Sequence, residues 1–213
     1  EVLVLINDYT VSYGTNVNVD EGHEDGSVII TGTGNYTGTV TKYFEIVPKE
    51  IVEEFVSEVE AQTYTGSQLT PSVTVTDTDL SETLSSTDDY TITYGENINK
   101  GEEAGSYTVE GKGNYTGSVT KHFDIVSRSI ASEGITVTPI SDQTYTGNQI
   151  TLSDVIIKDG GTTLVKGEDY TLSFGTNKNV DAEGHQDGSV IITGINNYGG
   201  SRTEYFEIIP KTL

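Results

Sequence analysis

The chain has no cysteine, no methionine and no tryptophan, only 4 prolines, and 11 basic side chains against 33 acidic ones in 213 residues. Each shortage removes a class of function. Without cysteine there are no disulfides, no thiol catalysis and no Cys-ligated zinc, so packing and hydrogen bonds must supply the stability. A formal charge of −22 opposes nucleic acid, whose phosphates require Lys and Arg, and opposes adsorption to anionic lipid. Apolar content is 33%, low for a globular chain, while Thr, Gly and Tyr are plentiful. Small β units with thin cores are therefore expected in place of one large core. No apolar run approaches the roughly 20 residues needed to span a bilayer as a helix, so no membrane insertion is expected. The opening EVLVLIND has neither a basic n-region nor a cleavage site; any export signal or wall anchor is expected in sequence beyond these residues.

What the chain has is repetition. GTGNYTGTVTKYFEI (32–46) returns as GKGNYTGSVTKHFDI (111–125) and, more loosely, as GINNYGGSRTEYFEI (194–208). NDYTVSYGTNVNV (7–19) returns as DDYTITYGENINK (88–100) and EDYTLSFGTNKNV (168–180), which spaces Asp8, Asp89 and Asp169 by 81 and 80 residues. AQTYTGSQLTPSVTVTD (61–77) matches DQTYTGNQITLSDVIIKD (142–159), and nothing before Asp8 corresponds to either. The chain therefore divides into the second half of a first unit, 1–47, and two complete units of about 80 residues, 48–127 and 128–213. The period suits small domains in tandem, each closing its own core and meeting its neighbour through short linkers such as 47–54 and 126–134.

Within a unit the apolar residues alternate as in strands. Tyr9, Val11 and Tyr13 recur as Tyr90, Ile92, Tyr94 and as Tyr170, Leu172, Phe174. Val28 and Ile30 match Tyr107 and Val109, then Val190 and Ile192. In the closing strand Phe44 and Ile46, Phe123 and Ile125, or Phe206 and Ile208 share one face, and Tyr43, His122 and Tyr205 take the other. IVEEFVSEVEA (51–61) is the single helix candidate, through Val52, Phe55, Val56 and Val59, but the third copy has ITVTPI at the comparable place, which favours strand.

The order TYTG, Pro-x-Val-x-Val, DYT-x-x-YG-x-N-x-N, G-x-GNYTG-x-VTK-x-F-x-I resembles the glycine-rich, Ig-like repeats of large bacterial surface proteins. These are the MBG and YDG type modules found in tandem in adhesins and wall-anchored proteins. The resemblance covers essentially the whole chain; the third copy departs from it at Asn196, Gly199 and Arg202, where the others have Gly, Thr and Val. It implies an extracellular location at a bacterial cell surface or wall and a spacer or presenter role, and it brings no catalytic residues. The expected fold is all-β, an elongated tandem array of small Ig-like β-sandwich modules, with β-grasp-like modules as the alternative.

Three patterns could carry chemistry. The G-x-GNYTG turn could present Tyr36, Tyr115 and Tyr198 as stacking platforms for sugar or peptide, or could be a strand connection. In the second reading Gly32, Gly111 and Gly194, then Gly38, Gly117 and Gly200, supply positive φ at its two ends. No helix follows the turn to hold a phosphate. The loops VDEGHEDGS (19–27) and VDAEGHQDGS (180–189) gather Asp20, Glu21, His23 and Asp25, and Asp181, Glu183, His185 and Asp187. Oxygen ligands at this density could contribute to a Ca²⁺ site. The middle copy reads NKGEEAGS, which points to a solvated hairpin tip instead, and one His per loop is too few for zinc. Lys42 and Lys121 share the inward parity of Phe44 and Phe123 and could form a Lys–Asn cross-link, but Glu204 takes that position in the third copy.

No Ser–His–Asp set is legible, and the acidic pair Asp88–Asp89 recurs as Asn7–Asp8 and Glu168–Asp169, so its constant second member suggests turn chemistry and not a two-carboxylate mechanism. The expected function is non-catalytic: a monomeric stalk or spacer whose partners are its neighbouring repeats. The alternative is an adhesive array binding a host glycan or protein through exposed aromatics, Tyr43 and Tyr205 foremost.

Overall fold

A computed structural model describes residues 2–20, 22, 26–180 and 188–213. The protein is all-β: its elements are strands, with a single 3-10 turn at Glu53–Phe55 among the described residues. No helix is long and apolar enough to cross a membrane. Cα proximity groups the chain into two compact units, one of residues 1–59, 71–95 and 106–121, the other of residues 60–70, 96–105 and 122–213.

In the first unit Tyr9–Tyr13, Gly26–Gly32 and Thr39–Phe44 form an antiparallel meander, with Tyr13 opposite Val28 and Gly26 opposite Phe44. The second copy repeats the first pairing, Tyr90 opposite Gly111 and Tyr94 opposite Tyr107. Lys49–Glu50 runs parallel to Tyr115–Thr116, and Thr76–Asp77 forms a hairpin with Glu82–Thr83. Ile51, Phe55, Val75, Leu84, Tyr107 and Val109 are buried, so the first half of the copy covers the apolar face of the second.

The second unit holds the same construction for the third copy. Tyr170–Phe174, Gly188–Gly194 and Ser201–Phe206 form the meander, Arg128–Ser129 runs parallel to Tyr198–Gly199, and Ile135–Val137, Ile157–Asp159 and Thr162–Thr163 form a second sheet. Ile130, Ile157, Val190, Ile192 and Tyr198 pack into one core, and Ile150, Phe206 and Ile208 into another. Gln62–Thr63 and Gln143–Thr144, from the two TYTG strings, run parallel to Ile125–Val126 and Ile208–Ile209. The alternation expected of these strands is present in the second and third copies, where Tyr90, Val109, Ile125, Val190, Ile192 and Ile208 point inward, with His122, Asp124 and Tyr205 exposed; in the first copy Tyr13 and Phe44, expected on the apolar face, are exposed.

Three local expectations are corrected. The strand expected over 51–61 is not formed, because the consecutive residues Phe55 and Val56 are both buried and a strand sends neighbours to opposite faces. The chain turns through Glu53–Phe55 instead, and Val56 alone bridges to Val75. The linkers are not free spacers: Lys49–Glu50 and Arg128–Ser129 are paired strands, and Ile51 and Ile130 after them are core residues. In the G-x-GNYTG turn, positive φ falls at Gly34, Gly113 and Asn196 and again at Gly38, Gly117 and Gly200, not at the leading glycines. Gly32, Gly111 and Gly194 are required by space, since a Cβ there would lie 2.9, 2.7 and 2.7 Å from the backbone nitrogen of Thr37, Thr116 and Gly199. Asn196 replaces the middle glycine because Asn tolerates the left-handed region better than other side chains.

Candidate functional site at the joints between repeats

Two polar positions that recur in every copy have hydrogen-bonding tasks. Asp8, Asp89 and Asp169 accept the backbone N–H four residues back, from Val4 at 2.8 Å, Ser85 at 2.8 Å and Val165 at 2.7 Å. They thereby close the turn that enters the strand. Asn16, Asn97 and Asn177 sit at φ of 45°, 47° and 41°. The amide of Asn16 exchanges two hydrogen bonds with the backbone of Ser27, at 3.0 and 2.8 Å, and that of Asn177 exchanges two with Ser189, at 2.9 and 2.8 Å. Asn97 and Asn177 also donate to the carbonyls of Leu69 and Ile150, at 3.0 and 3.1 Å. This ties each TYTG-containing half to the strand half.

A second repeated cluster joins three segments. Lys49 Nζ donates to both carboxylate oxygens of Asp77 at 2.7 Å and lies 2.9 Å from Asp79. Asp77, fully buried, also accepts the Tyr115 hydroxyl at 3.1 Å and the backbone N–H groups of Asp79 and Leu80 at 3.0 and 3.2 Å. In the third copy the counterparts are Arg128, with Nε 2.9 Å from Asp159 Oδ2, and the Tyr198 hydroxyl, which donates to the same oxygen at 3.2 Å. Burial by itself would raise the Asp77 pKa, but hydrogen bonds from Lys49, the Leu80 N–H and Tyr115 outweigh it and hold the carboxyl below its ordinary range. The Lys49 ammonium is raised by its hydrogen bonds to Asp77 and Asp79. Burial, then the hydrogen bond to Asp77, push Tyr115 up to about 12, and burial beside Asp159 raises Tyr198 as well.

The turn that carries these tyrosines also reaches across to the preceding repeat. In the first unit Asn114 Oδ1 accepts the Val19 N–H at 2.8 Å, and Asn114 Nδ2 donates to Asn18 Oδ1 at 2.9 Å. In the second unit Asn197 Oδ1 accepts the Lys100 N–H at 2.8 Å and Asn197 Nδ2 donates to Asn99 Oδ1 at 3.0 Å. The backbone carbonyls of the same two asparagines accept the N–H of Lys49 at 2.9 Å and of Arg128 at 3.0 Å. One residue thus grips the start of its own repeat with its backbone and a loop of the previous repeat with its side chain. A cavity of about 420 Å³ lies at the first joint, lined by Val17, Asn18, Val19 and Val47 of one copy and Lys49, Leu84, Asn114 and Tyr115 of the next.

The residues singled out in the sequence fall into three groups. Tyr115 and Tyr198 are 8% and 5% exposed and their hydroxyls are engaged, so their rings are not presented for stacking; Tyr36 is 37% exposed. Tyr43 and Tyr205 are exposed at equivalent positions, and so is His122. Lys42 is exposed, Lys121 donates to the carbonyl of Val56 and to the Glu58 carboxylate, and Glu204 pairs with Arg202. Of the cation-site candidates, Asp20 is exposed, and Glu21, His23, Asp25, Asp181, Glu183, His185 and Asp187 lie outside the described residues. Sequence reasoning passed over Asn18, Asn99, Asp77 and Asp159, although the recurrence of each within the repeat was a usable signal. No protein-family model matches the chain, and no curated protein sequence matches it.

Proposed function

We propose that the chain is a run of non-catalytic spacer repeats from the extracellular part of a bacterial surface protein, projecting a distal domain. Each complete copy is a small Ig-like sandwich, and the neighbouring copies are its partners. The resemblance of the repeat strings supports the location, and the joint carries the function. Inter-domain contacts within one chain are mobile by default, yet the same two-bond amide clasp is built at both joints from the same positions. A repeated, polar, fixed joint is what a spacer requires and what a catalytic or ligand-binding domain does not. In Asn114→Ala, Val19 should lose amide-exchange protection by about tenfold, the scale of one or two hydrogen bonds. By ¹⁵N relaxation the first and second copies should then tumble with different correlation times while their strands stay intact. Unchanged exchange and relaxation would remove the joint from the argument.

A second reading, an adhesive array, is favoured by the exposure of Tyr43 and Tyr205 at equivalent positions. It predicts saturable glycan or host-protein binding that is lost in the Tyr43→Ala, Tyr205→Ala double variant. Binding indifferent to both substitutions would count against this surface.

A further inference from the structure

The third copy holds a cavity that belongs neither to the clasp nor to the Asp159 cluster, because its second sheet opens at one end into a fork. Thr138 donates its N–H to the Ile156 carbonyl at 2.9 Å, continuing the pairing of Ile135–Val137 with Ile157–Asp159. The next residue is Pro139, which has no N–H to give the ladder. On the other arm LSDVIIKD (152–159) is one residue longer than PSVTVTD (71–77), and the extra residue is Asp154. Past this point the segments 139–142 and 151–155 exchange no hydrogen bond among the described residues, and a cavity of about 310 Å³ lies between them. The second copy ties its two arms down: the Tyr107 hydroxyl donates to the Ser57 carbonyl at 2.7 Å and the Tyr94 hydroxyl to the Pro71 carbonyl at 2.6 Å. In the third copy Val190 and Phe174 stand at those positions without a hydroxyl, so the carbonyls of Thr138 and Leu152 have no such anchor. The open fork is therefore a feature of one copy and not a requirement of the repeat.

We propose that this fork is a binding pocket for one neutral sugar ring. Its floor is aliphatic: Val155 is buried, and Ile140 and Leu152 are half-buried against the core. Its rim carries the hydroxyls of Ser141, Thr151 and Ser153, the amide of Gln143 and the carboxylate of Asp154. Hydroxyl and amide groups both donate and accept, as the hydroxyls of a sugar require, and the aliphatic floor meets the C–H face of the ring. Gln143 Nε2 donates to the Ser141 carbonyl at 2.9 Å and the Ser153 hydroxyl donates to Asp154 Oδ1 at 2.9 Å, which leaves Gln143 Oε1 and Asp154 Oδ2 as acceptors. The backbone N–H groups of Ile140, Ser141 and Leu152 bond to no protein atom among the described residues and add donors to the same space. The lining has one carboxylate and no cationic side chain, and the chain carries a formal charge of −22, so a phosphate or a sugar acid would meet uncompensated repulsion. The volume lies at the small end of the roughly 300–1,000 Å³ range of ligand pockets, which suits a single ring. This goes beyond the spacer reading and holds whether or not the chain is a spacer. It differs from the adhesive reading in place and number, with one pocket in one copy and Tyr205 not part of it.

A single ring in so small a pocket should bind with a Kd on about the millimolar scale. The test is a ¹⁵N–¹H amide titration of the 213-residue chain with the methyl glycosides of glucose, galactose, mannose and N-acetylglucosamine, to about ten times that concentration. At least one should shift the amides of 140–143 and 151–155 saturably and leave the second-copy counterparts, 59–62 and 70–74, unmoved. Asp154→Ala and Thr151→Val, both at exposed positions that should leave the strand amides in place, should each weaken binding about tenfold. No shift with any of the four glycosides overturns the proposal, and so do shifts that persist undiminished in both variants. Shifts centred on Tyr205 would overturn it in favour of the adhesive face. The blocked tripeptide Thr-Val-Thr is the control: if it moves the fork amides and no glycoside does, the fork takes an extended peptide and the sugar assignment is wrong.

Discussion

Gly188→Ala is expected to destabilise the third copy by about 2–3 kcal/mol, the upper part of the range for overpacking a filled site. Gly188 lies directly opposite Phe206 in the antiparallel ladder, and a Cβ on it would stand 2.2 Å from the ring. The ring is 4% exposed and held against Ile150 and Ile208, so it has nowhere to move. Phe206→Ala, which empties the same site, should cost about 3–5 kcal/mol. The double variant should lose less than the sum, because the new methyl partly fills what the ring vacates. Gly105→Ala should behave alike, with a Cβ 2.3 Å from the ring of Phe123, itself 3% exposed. Gly26→Ala should cost less, since Phe44 is 44% exposed and can swing outward. Urea titration read through amide signals assigned to each copy separates the effects, because three unlike copies need not share one transition. Equal costs at Gly26 and Gly188 would refute the packing explanation.

The second large effect is expected at Asp77. Asp77→Ala strands a buried tyrosine hydroxyl and two turn N–H groups, which points to a loss of about 2–3 kcal/mol in the second copy. The same group sets a pH dependence. Its carboxyl is held below the ordinary range, so its contribution is present above roughly pH 4 and drains away as pH falls through the lowered value. Lys49 and Tyr115 are raised, so theirs is present below about pH 10 and is lost as pH climbs, for Tyr115 through about 12. In the third copy Tyr198 is raised by burial beside Asp159, so an alkaline loss is expected there as well. Asp77→Asn should therefore flatten the acid limb of the second copy; an acid limb that survives Asp77→Asn unchanged would assign it elsewhere.

The class of fold was legible because strand alternation is a local signal. Phe123 and Ile125, or Val190 and Ile192, stand two apart and face inward as that spacing requires. The turn at 51–61 was not legible, because the burial of adjacent Phe55 and Val56 depends on what the second half of the repeat offers them. The glycine pattern was legible as a turn but not in its mechanism. Gly111 is excluded from carrying a side chain by Thr116, five residues on, and proximity of that kind appears only when the turn is closed. The joint was the least legible feature. Asn18 and Asn114 are 96 positions apart, and no periodic pattern links a loop in one repeat to a turn in the next. The buried Asp77 and the half-buried Asp159 stood in the strings PSVTVTD and LSDVIIKD, where a lone acid beside an apolar run reads as a solvated strand end.

The arrangement of the clasp bears on how such a chain can change length. Every copy carries both a loop with the second asparagine and a turn with its partner, so any copy fits after any other. Recombination that deletes or duplicates one whole period leaves no unmatched seam inside the row. A crossover out of register would separate the turn from the loop it grips and expose the apolar start of the next repeat. Gain or loss of one whole repeat is thus expected to leave the clasp intact.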